Sequence, residues 1–493
     1  MKILLVYPGY PDTFWSFKHA LKFIVKQATN PPLGLLTVAA MLPEEWEKRL
    51  VDMNTDALED GDLKWADYVL ISAMAVQKES TLKVVERCQK LAVPTVAGGP
   101  LFTSDPDSWK NVNHLILNEA EVTLPLFLSD LEKGIPRHIY TSPEWADVTR
   151  SPIPDWQLIN QKKYVSMCLQ YSRGCPFECE FCDITALYGR IPRTKEKHQV
   201  LAELEALFKT GWRGSVFMVD DNFIGNKKKL KEEILPAIDG WMEEHHHPFT
   251  FYTQTSINLA DDDELMKMMV DVGFDDVFIG IETPHEDSLA ECHKTQNKRR
   301  DLVGAVKKIQ HFGLQVQGGF IVGFDSDPLT IFEKQIDFIQ KSGIVTAMVG
   351  MLNVMKGTKL YQRLSQEERI IKNGSGNNTD FSVNFIPKMP YETLVNGYRK
   401  IVGTIYAPEE FYQRVKNFLR EYQPLPKKVI RISWCDIKAF LRSIVVIGVL
   451  GKERVQYWKL LGWSLLKRPR LFPVAVTCAI YGFHFRKVYE GYM

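Results

Sequence analysis

Residues 171–182 read Tyr-Ser-Arg-Gly-Cys-Pro-Phe-Glu-Cys-Glu-Phe-Cys, which places three of the eight cysteines, Cys175, Cys179 and Cys182, in one short segment. Thiolates are preferred ligands of iron–sulfur clusters and of zinc. A structural zinc site is almost always closed by four ligands. The nearest further cysteine, Cys168, lies inside an apolar run predicted to be a buried strand. The spacing therefore favours a cluster that is held by three thiolates and keeps one iron open to a substrate.

Besides a chance grouping, two other interpretations of these cysteines stay open on the sequence alone. A zinc site would need a distant fourth ligand, for which His198 and the run His245–His247 are candidates. A non-enzymatic iron–sulfur protein, with an electron-carrying or structural role, is the second alternative, and the missing fourth cysteine argues against it. The other five cysteines are scattered over 493 residues, which is typical of a reducing compartment rather than of a disulfide scaffold.

Outward from the cysteines, residues 166–364 alternate predicted strands with helical segments. Six strands with helical connections predict a partial (β/α)6 barrel of the TIM type, whose active sites gather at the C-terminal strand ends. The cysteine segment directly follows the first of these strands, so it falls where such a site is expected. The predicted strands are Ser166–Tyr171, Ser215–Val219, Thr250–Thr255, Asp276–Ile281, Gln315–Val322 and Ala347–Asn353.

Residues 1–140 show the same alternation, which predicts an α/β, Rossmann-like domain with a parallel sheet. Ligands of such sheets bind beyond the carboxyl ends of the strands. Residues 141–165 are polar, contain three prolines and are predicted to be a linker. The predicted elements of the first domain are strands Ile3–Tyr7, Tyr68–Ser72, Thr95–Ala97 and His114–Leu117 and helices Leu33–Leu42, Ser80–Leu91 and Leu124–Lys133.

Residues 365–493 are predicted to form a mostly helical extension, with a helical stretch over 390–422 and a polar loop at Lys372–Asp380. From residue 426 onward the chain carries 13 Lys and Arg but only three acidic residues, with Trp, Tyr and Phe interleaved. This composition suits the headgroup region of an anionic membrane. It equally suits a helical cover over the barrel with solvated basic residues. The apolar runs Ile444–Leu450 and Leu471–Phe483 are shorter than the ~18 residues of a spanning helix.

The cysteine segment resembles the signature of the radical S-adenosylmethionine (SAM) superfamily, in which three cysteines hold a [4Fe–4S] cluster. The resemblance implies that SAM binds the open iron and is cleaved to a 5′-deoxyadenosyl radical. The electron would come from an external donor such as flavodoxin or ferredoxin. Phe181 is implied to lie near the adenine. From the residues alone, Asp220 and Asp221 could also cap the helix that follows them, and the glycines at the ends of the barrel strands could simply make tight turns. Further SAM contacts are implied at Asp220, Asp221, Gln254, Glu282 and Gly323.

The first domain resembles the cobalamin-binding domain of B12-dependent radical enzymes, through Pro31-Pro32 and the segments around residues 71, 98 and 118. The motif Asp-x-His-x-x-Gly, whose histidine binds cobalt, is absent, so the resemblance implies a lower face that meets the Ala73–Gln77 loop or water. A flavodoxin-like domain with ordinary turn glycines is the alternative. The implied cobalamin contacts are Ser72, Met74, Gly98, Gly99, Pro100, Thr103 and Glu119.

Together these resemblances predict a radical enzyme that uses cobalamin to methylate an unactivated carbon, because polar methyl transfer cannot reach a carbon that is not nucleophilic. The alternative is a rearrangement, cyclisation or oxidation without methyl transfer. The extension loosely resembles that of the hopanoid C-methylases, which implies a lipid or other small-molecule substrate. Peripheral membrane contact through the tail fits that substrate, and the expected location is the cytoplasm. A formal net charge of +1 argues against a nucleic-acid partner.

Overall fold

The computed structural model describes residues 1–372, 374–377, 379–424 and 434–490. Two six-stranded parallel sheets follow each other along the chain, and helices form the C-terminal region. The prediction of an α/β fold with a Rossmann-like domain, a partial barrel and a helical extension is confirmed.

The first sheet has the strand order β2-β1-β3-β4-β5-β6, which is a doubly wound arrangement. Helices α2 and α6 pack on one face of the sheet, and α3, α4 and α5 pack on the other. The strands are β1 (Lys2–Tyr7), β2 (Glu47–Asp52), β3 (Tyr68–Ser72), β4 (Thr95–Gly98), β5 (His114–Ile116) and β6 (Ile139–Tyr140). The helices are α1 (Lys18–Ile24), α2 (Leu33–Met41), α3 (Asp60–Trp65), α4 (Lys78–Lys90), α5 (Pro100–Ser104) and α6 (Ala120–Glu132).

The strand β2 was absent from the sequence prediction. It lies at the edge of the sheet and pairs only with β1, so most of its side chains are half-buried or exposed. Its sequence, Glu-Lys-Arg-Leu-Val-Asp, therefore lacks the apolar run that identified the central strands. The segment 141–165 has three short 3₁₀ turns, and Tyr164 forms a bridge with Ala28, so this segment is ordered against the first domain.

The second sheet has its six main strands in sequence order, β7-β10-β11-β12-β13-β14, all parallel. A two-stranded hairpin, β8 with β9, frames the cysteine segment. The strands are β7 (Ser166–Leu169), β8 (Ser172–Arg173), β9 (Arg193–Thr194), β10 (Gly214–Met218), β11 (Phe249–Thr255), β12 (Phe274–Glu282), β13 (Gln315–Val322) and β14 (Ala347–Met351). The helices are α7 (Ile184–Tyr188), α8 (Lys197–Lys209), α9 (Lys227–Lys229), α10 (Leu235–Glu244), α11 (Asp263–Val272), α12 (Glu286–Glu291), α13 (Leu302–His311), α14 (Ile331–Ser342) and α15 (Lys359–Gln366).

The C-terminal region consists of helices that pack on the barrel and on the N-terminal segment. The predicted helical stretch over 390–422 is two helices, which are separated at Tyr406–Ala407. The ring of Phe485 stacks on that of Phe14, with centroids 4.1 Å apart. Among the described residues, no helix combines the length and apolarity needed to cross a membrane. The helices are α16 (Tyr391–Ile405), α17 (Pro408–Glu421), α18 (Trp434–Ser443), α19 (Arg454–Lys467) and α20 (Phe472–Glu490).

Candidate functional site

The cysteine segment forms a loop between β8 and α7, at the C-terminal end of the first barrel strand. All three thiols are free and half-buried. The loop begins at Gly174, whose φ of +93° is a conformation that favours glycine. A Cβ at this position would lie 2.9 Å from the carbonyl oxygen of Gly189 and 3.0 Å from that of Tyr188. Glycine is therefore required where the chain enters the loop.

Two aspartates at the end of β10 hold the backbone of this loop. Asp220 is fully buried and accepts hydrogen bonds from the N–H of Tyr171 at 3.2 Å and from the N–H and hydroxyl of Ser172. Asp221 accepts from the N–H of Gly174 at 2.9 Å. Burial raises the pKa of Asp220 to about 7 and that of Asp221 to about 6, although these hydrogen bonds act in the opposite direction.

These contacts exclude one of the roles considered for the aspartates. Neither carboxylate caps the helical turn that follows, so the capping alternative is wrong. Every described partner of Asp220 belongs to the approach to the cysteine loop, and its carboxylate is enclosed. Asp220 is thus placed to position the loop.

A lysine that was not among the predicted site residues lies near the thiols. Lys294 follows α12 and donates a hydrogen bond of 2.7 Å to Glu282, which ends β12 with a φ of +63°. Burial acts to lower the pKa of Lys294, but the charges of Glu282 and Cys179 outweigh it and hold that pKa above its usual range. A fixed positive charge therefore faces the sulfur atoms.

Side-chain amides also approach the thiols. The Nδ2 of Asn222 lies 3.9 Å from the sulfur of Cys175, and the Nε2 of Gln296 lies 3.9 Å from that of Cys179. Hydrogen bonds to sulfur ligands stabilise their anionic form and tune a bound cluster. This donor set fits a group with anionic sulfur at its surface.

The loop is also fastened from the C-terminal side of the barrel. Glu180, which lies between two of the predicted ligands, accepts hydrogen bonds of 2.7 and 3.0 Å from Arg363 of α15. The ring of Phe181 lies 6.2 Å from that of Phe324, measured between centroids. Pairs such as Glu180 and Arg363 are far apart in the chain, so a single sequence carries no signal for them.

Two further residues implied as SAM contacts lie at the C-terminal ends of β11 and β13, on either side of β12. Gln254 is half-buried in β11, and its side chain has no hydrogen bond to any residue that the structure describes. Gly323 follows β13 with a φ of +107°, and its N–H donates to Asp327 at 2.8 Å. Together with Phe181 and Glu282, these residues ring the C-terminal end of the barrel.

Of the histidines considered as zinc ligands, His198 lies in the first turn of α8, and the run lies at the other end of the barrel. The run His245–His247 follows α10 and precedes β11, which places it at the N-terminal end of the barrel, opposite the cysteine loop. His245 stacks on Trp241, with centroids 4.2 Å apart, and its Nε2 lies 3.1 Å from Glu205. Within the described ranges, no group of three or more His, Cys, Asp and Glu side chains is arranged to hold a single metal ion.

The carboxyl ends of β3 and β4 in the first domain form the other part of the candidate site. Gly99 has a φ of +92°, and a Cβ there would lie 2.8 Å from the hydroxyl oxygen of Ser72. A Cβ at Gly98 would lie 2.7 Å from the carbonyl oxygen of Ile116. The prediction explained these glycines by the approach of a ligand, but neighbouring strand ends already require them.

The other predicted cobalamin contacts at these strand ends differ in their exposure and in the hydrogen bonds that they already make. The hydroxyl of Ser72 has no hydrogen-bond partner in the described part of the chain, and Met74 is exposed. Thr103 Oγ1 accepts from the N–H of Asn118 at 3.0 Å, which leaves its own hydrogen to donate. Pro100 occupies the first position of α5, where the missing N–H costs nothing.

Glu119 takes part in a buried ion-pair network between the two domains. Its carboxylate lies 3.0 Å from Arg173 and 2.8 Å from Arg193, and it accepts from the N–H of Ala146 at 2.8 Å. Arg173, two residues before the first cysteine, also pairs with Glu121 at 2.6 Å. The network turns the carboxyl edge of the first sheet towards the cysteine loop, and α5 lies against α7.

Three family models match the chain. Residues 169–339 match the radical SAM superfamily, residues 24–128 match the B12 binding domain, and residues 358–492 match a domain of unknown function (DUF4070). The third match covers most of the C-terminal helical region, and its description names no activity.

Similar proteins cover nearly the whole chain. An uncharacterised methyltransferase of Synechocystis is 41% identical over 99% of this chain and 92% of its own. The hopanoid C-2 methylase of Rhodopseudomonas palustris is 32% identical over 93% of this chain and 88% of its own. The solved structure of the radical SAM methyltransferase TsrM from Kitasatospora setae has a TM-score of 0.61 at 14% identity and covers 99% of both chains. That likeness shows the same fold.

Proposed function

Because the chain belongs to the family of cobalamin-dependent radical SAM methyltransferases, we propose that it methylates an unactivated carbon of an apolar small molecule. When bound, the [4Fe–4S] cluster and SAM supply a radical that removes a hydrogen atom, and cobalamin supplies the methyl group. The observation that carries this proposal is the buried network of Glu119, Glu121, Arg173 and Arg193. It holds the proposed cobalamin edge and the cysteine loop together, so that one substrate can meet both.

Cys175, Cys179 and Cys182 are the proposed cluster ligands. Their support is the donor chemistry around them: three free thiols, two amide N–H groups and the ammonium of Lys294. A cluster with thiolate ligands is anionic, and a buried cation beside it offsets that charge. Asp220 and Asp221 serve here as positioning residues, because their carboxylates hold the loop backbone.

The proposed SAM contacts are the residues at the C-terminal end of the barrel. Phe181 would pack on the adenine, and Gly323 would allow its close approach. The free side-chain amide of Gln254 is a hydrogen-bond donor and acceptor in the same region. The carboxylate of Glu282 would accept from an amino group while it remains paired with Lys294.

For cobalamin we propose contacts from Ser72, Met74 and Thr103, with backbone contacts at Gly98–Pro100. The unpartnered hydroxyl of Ser72 and the remaining hydrogen of Thr103 support this assignment. Glu119 is left out of the contact set, because its carboxylate is occupied by two arginines and a backbone N–H. Its role is to position the two domains.

The substrate class and the partners are finer parts of the same proposal. The similarity to a hopanoid C-2 methylase supports a lipid substrate of the polycyclic, weakly polar kind. Electrons would come from a flavodoxin or a ferredoxin. A lipid substrate also favours peripheral contact between the basic C-terminal region and a membrane.

The test is an anaerobic reaction of the reconstituted protein with reductant, hydroxocobalamin, hopanoid substrate and SAM that carries a deuterated methyl group. We expect 5′-deoxyadenosine, S-adenosylhomocysteine and a deuterium-labelled methylated hopanoid by mass spectrometry. Cys175→Ser should abolish all three products. Cys435→Ser, on the exposed side of α18, is the matched control and should leave them unchanged.

Other product patterns contradict the proposal in distinct ways. Deoxyadenosine without S-adenosylhomocysteine would indicate rearrangement, cyclisation or oxidation in place of methyl transfer. A reduced cluster that never cleaves SAM, whatever substrate is offered, would indicate an electron carrier.

A further inference from the structure

One face of α18 and of the π-helical segment that follows it carries large apolar side chains exposed to solvent. Trp434 is 78% exposed and Leu441 is 56% exposed. The opposite face, with Ala439, Ser443 and Ile447, is buried against the protein. The spacing of three and four residues places the exposed side chains in one row along the helix. This apolar ridge consists of Trp434, Ile437, Leu441, Val445 and Val449.

A basic cavity of about 530 Å³ adjoins the apolar ridge. Three segments that are distant in the chain form it: the end of α1, the 3₁₀ turn before β7 and Arg442 of α18. Arg442 donates a hydrogen bond of 2.9 Å to the carbonyl of Lys22, which fixes α18 against α1. The lining residues are Lys22, Val25, Lys26, Gln27, Lys162, Lys163 and Arg442.

The positive charge of this cavity is largely uncompensated. Of its five cations, only Lys163 has a carboxylate, that of Asp56, within ion-pairing distance in the part of the chain that the structure describes. Lys26 instead donates to the carbonyl oxygen of Lys162 at 2.9 Å. Five cations held together by the fold, with one acidic neighbour, favour an anionic partner.

We propose that the apolar ridge and the basic cavity together form a docking surface for an anionic lipid bilayer. The ridge would enter the boundary between headgroups and acyl chains, and the cavity would take up lipid phosphates. Adjacent apolar and basic surfaces on an amphipathic helix are the combination that such interfaces bind. The exposed side chain of Val25, at the rim of the cavity, continues the apolar surface beside the cations.

The other partners for this face fit less well. A second copy of the chain would bring two uncompensated basic cavities together, and like charges repel. A nucleic acid would match the charge, but it would leave the aliphatic side chains of the ridge in water. The proposal develops the peripheral membrane contact stated above and does not depend on the reaction, so binding is measured with the purified protein without substrate.

The experiment is co-sedimentation with phosphatidylcholine vesicles that either contain or lack phosphatidylglycerol. We expect binding to the anionic vesicles that weakens with salt, and little binding to the neutral ones. Leu441→Glu should lower the affinity about tenfold or more, because an exposed leucine that would insert into the bilayer is replaced by a charge. Ile135→Glu is the matched control: Ile135 is 65% exposed in the loop before β6, and the variant should bind like the wild type.

The basic cavity is tested separately. Replacing one cation by glutamine should weaken binding to anionic vesicles about fivefold, the effect of one basic residue near such a surface. Lys22→Gln and Lys162→Gln should each show this loss. Lys90→Gln, an exposed position of α4, should not.

Three results would overturn the proposal. The first is equal binding of the wild type and of Leu441→Glu to anionic vesicles. The second is no vesicle binding by a wild type that forms dimers which Leu441→Glu dissociates, because the face would then join two copies. The third is binding to RNA that requires the cavity lysines, with no binding to vesicles.

Discussion

Replacing Gly174 by alanine tests whether the entry to the cysteine loop decides cluster assembly. Gly174 has a φ of +93°, and the backbone of an alanine in this conformation would be strained by roughly 1–2 kcal/mol. The added Cβ would also lie 2.9, 3.0 and 3.1 Å from the carbonyl oxygens of Gly189, Tyr188 and Ile191. These are backbone atoms, so relief requires the loop to shift, at a further cost of about 1–3 kcal/mol. The strain and the clash together destabilise the folded state by about 2–5 kcal/mol, and most of this cost distorts the cysteine loop.

Gly211 provides a matched control. Its φ is +89°, close to that of Gly174, but a Cβ there would meet nothing within 4 Å. Gly211→Ala therefore carries the conformational strain alone, at the end of α8. The difference between the two variants isolates the clash with the three carbonyl groups.

The assay is iron and sulfide content with absorption and electron paramagnetic resonance spectra after anaerobic reconstitution. Thermal unfolding of the apoprotein is measured in parallel. We expect Gly174→Ala to lose most of its cluster, because Cys175 moves with the strained residue. Gly211→Ala should keep the full cluster and lose only a little stability. Gly174→Ala with normal cluster content, and with the same stability as Gly211→Ala, would refute the reasoning.

Glu119→Gln should lower the free energy of unfolding in urea by roughly 3 kcal/mol, because the largely enclosed Arg193, whose side chain is 17% exposed, loses its carboxylate partner while Arg173 keeps Glu121; a loss below about 0.5 kcal/mol, usual for surface changes, would contradict the domain-holding role. His484 predicts a pH dependence. Its Nε2 donates to a backbone carbonyl at 2.9 Å, its Nδ1 has no partner in the described chain, and burial lowers its pKa to about 4. Through His484, the unfolded state binds more protons than the folded state between about pH 6.5 and 4, which lowers stability as the pH drops through that window. The raised pKa values of Asp220 and Asp221 act in the opposite direction. His484→Gln removes the contribution of the histidine, so the variant should lose less stability on acidification than the wild type in urea unfolding measured at several pH values, and an unchanged pH dependence would contradict the assignment.

The central elements of the fold could be predicted because their residues repeat at a local period. Strands Tyr68–Ser72 and Gln315–Val322 have the predicted bounds, since both lie inside a parallel sheet and bury most of their residues. The edge strand β2 escaped prediction because only one neighbouring strand and partial burial constrain its composition. The composition of helices α18 to α20 does not distinguish a cover over the barrel from a surface that faces a membrane. The local sequence of a helix does not identify the surface on which it packs.

The local sequence is enough to predict the chemistry proposed for the site. Three cysteines at one spacing, directly after a strand, specify a three-thiolate loop, because neighbours in the chain are necessarily neighbours in space. The surroundings of that loop come from distant parts of the chain and depend on the fold. Lys294 pairs with Glu282 at the end of β12 and interacts electrostatically with the thiols, Asp220 holds the loop backbone, and Glu119 joins the two domains where a cofactor contact was expected. Their charges act through short distances and low dielectric, which are properties of the folded interior and of no segment of the chain.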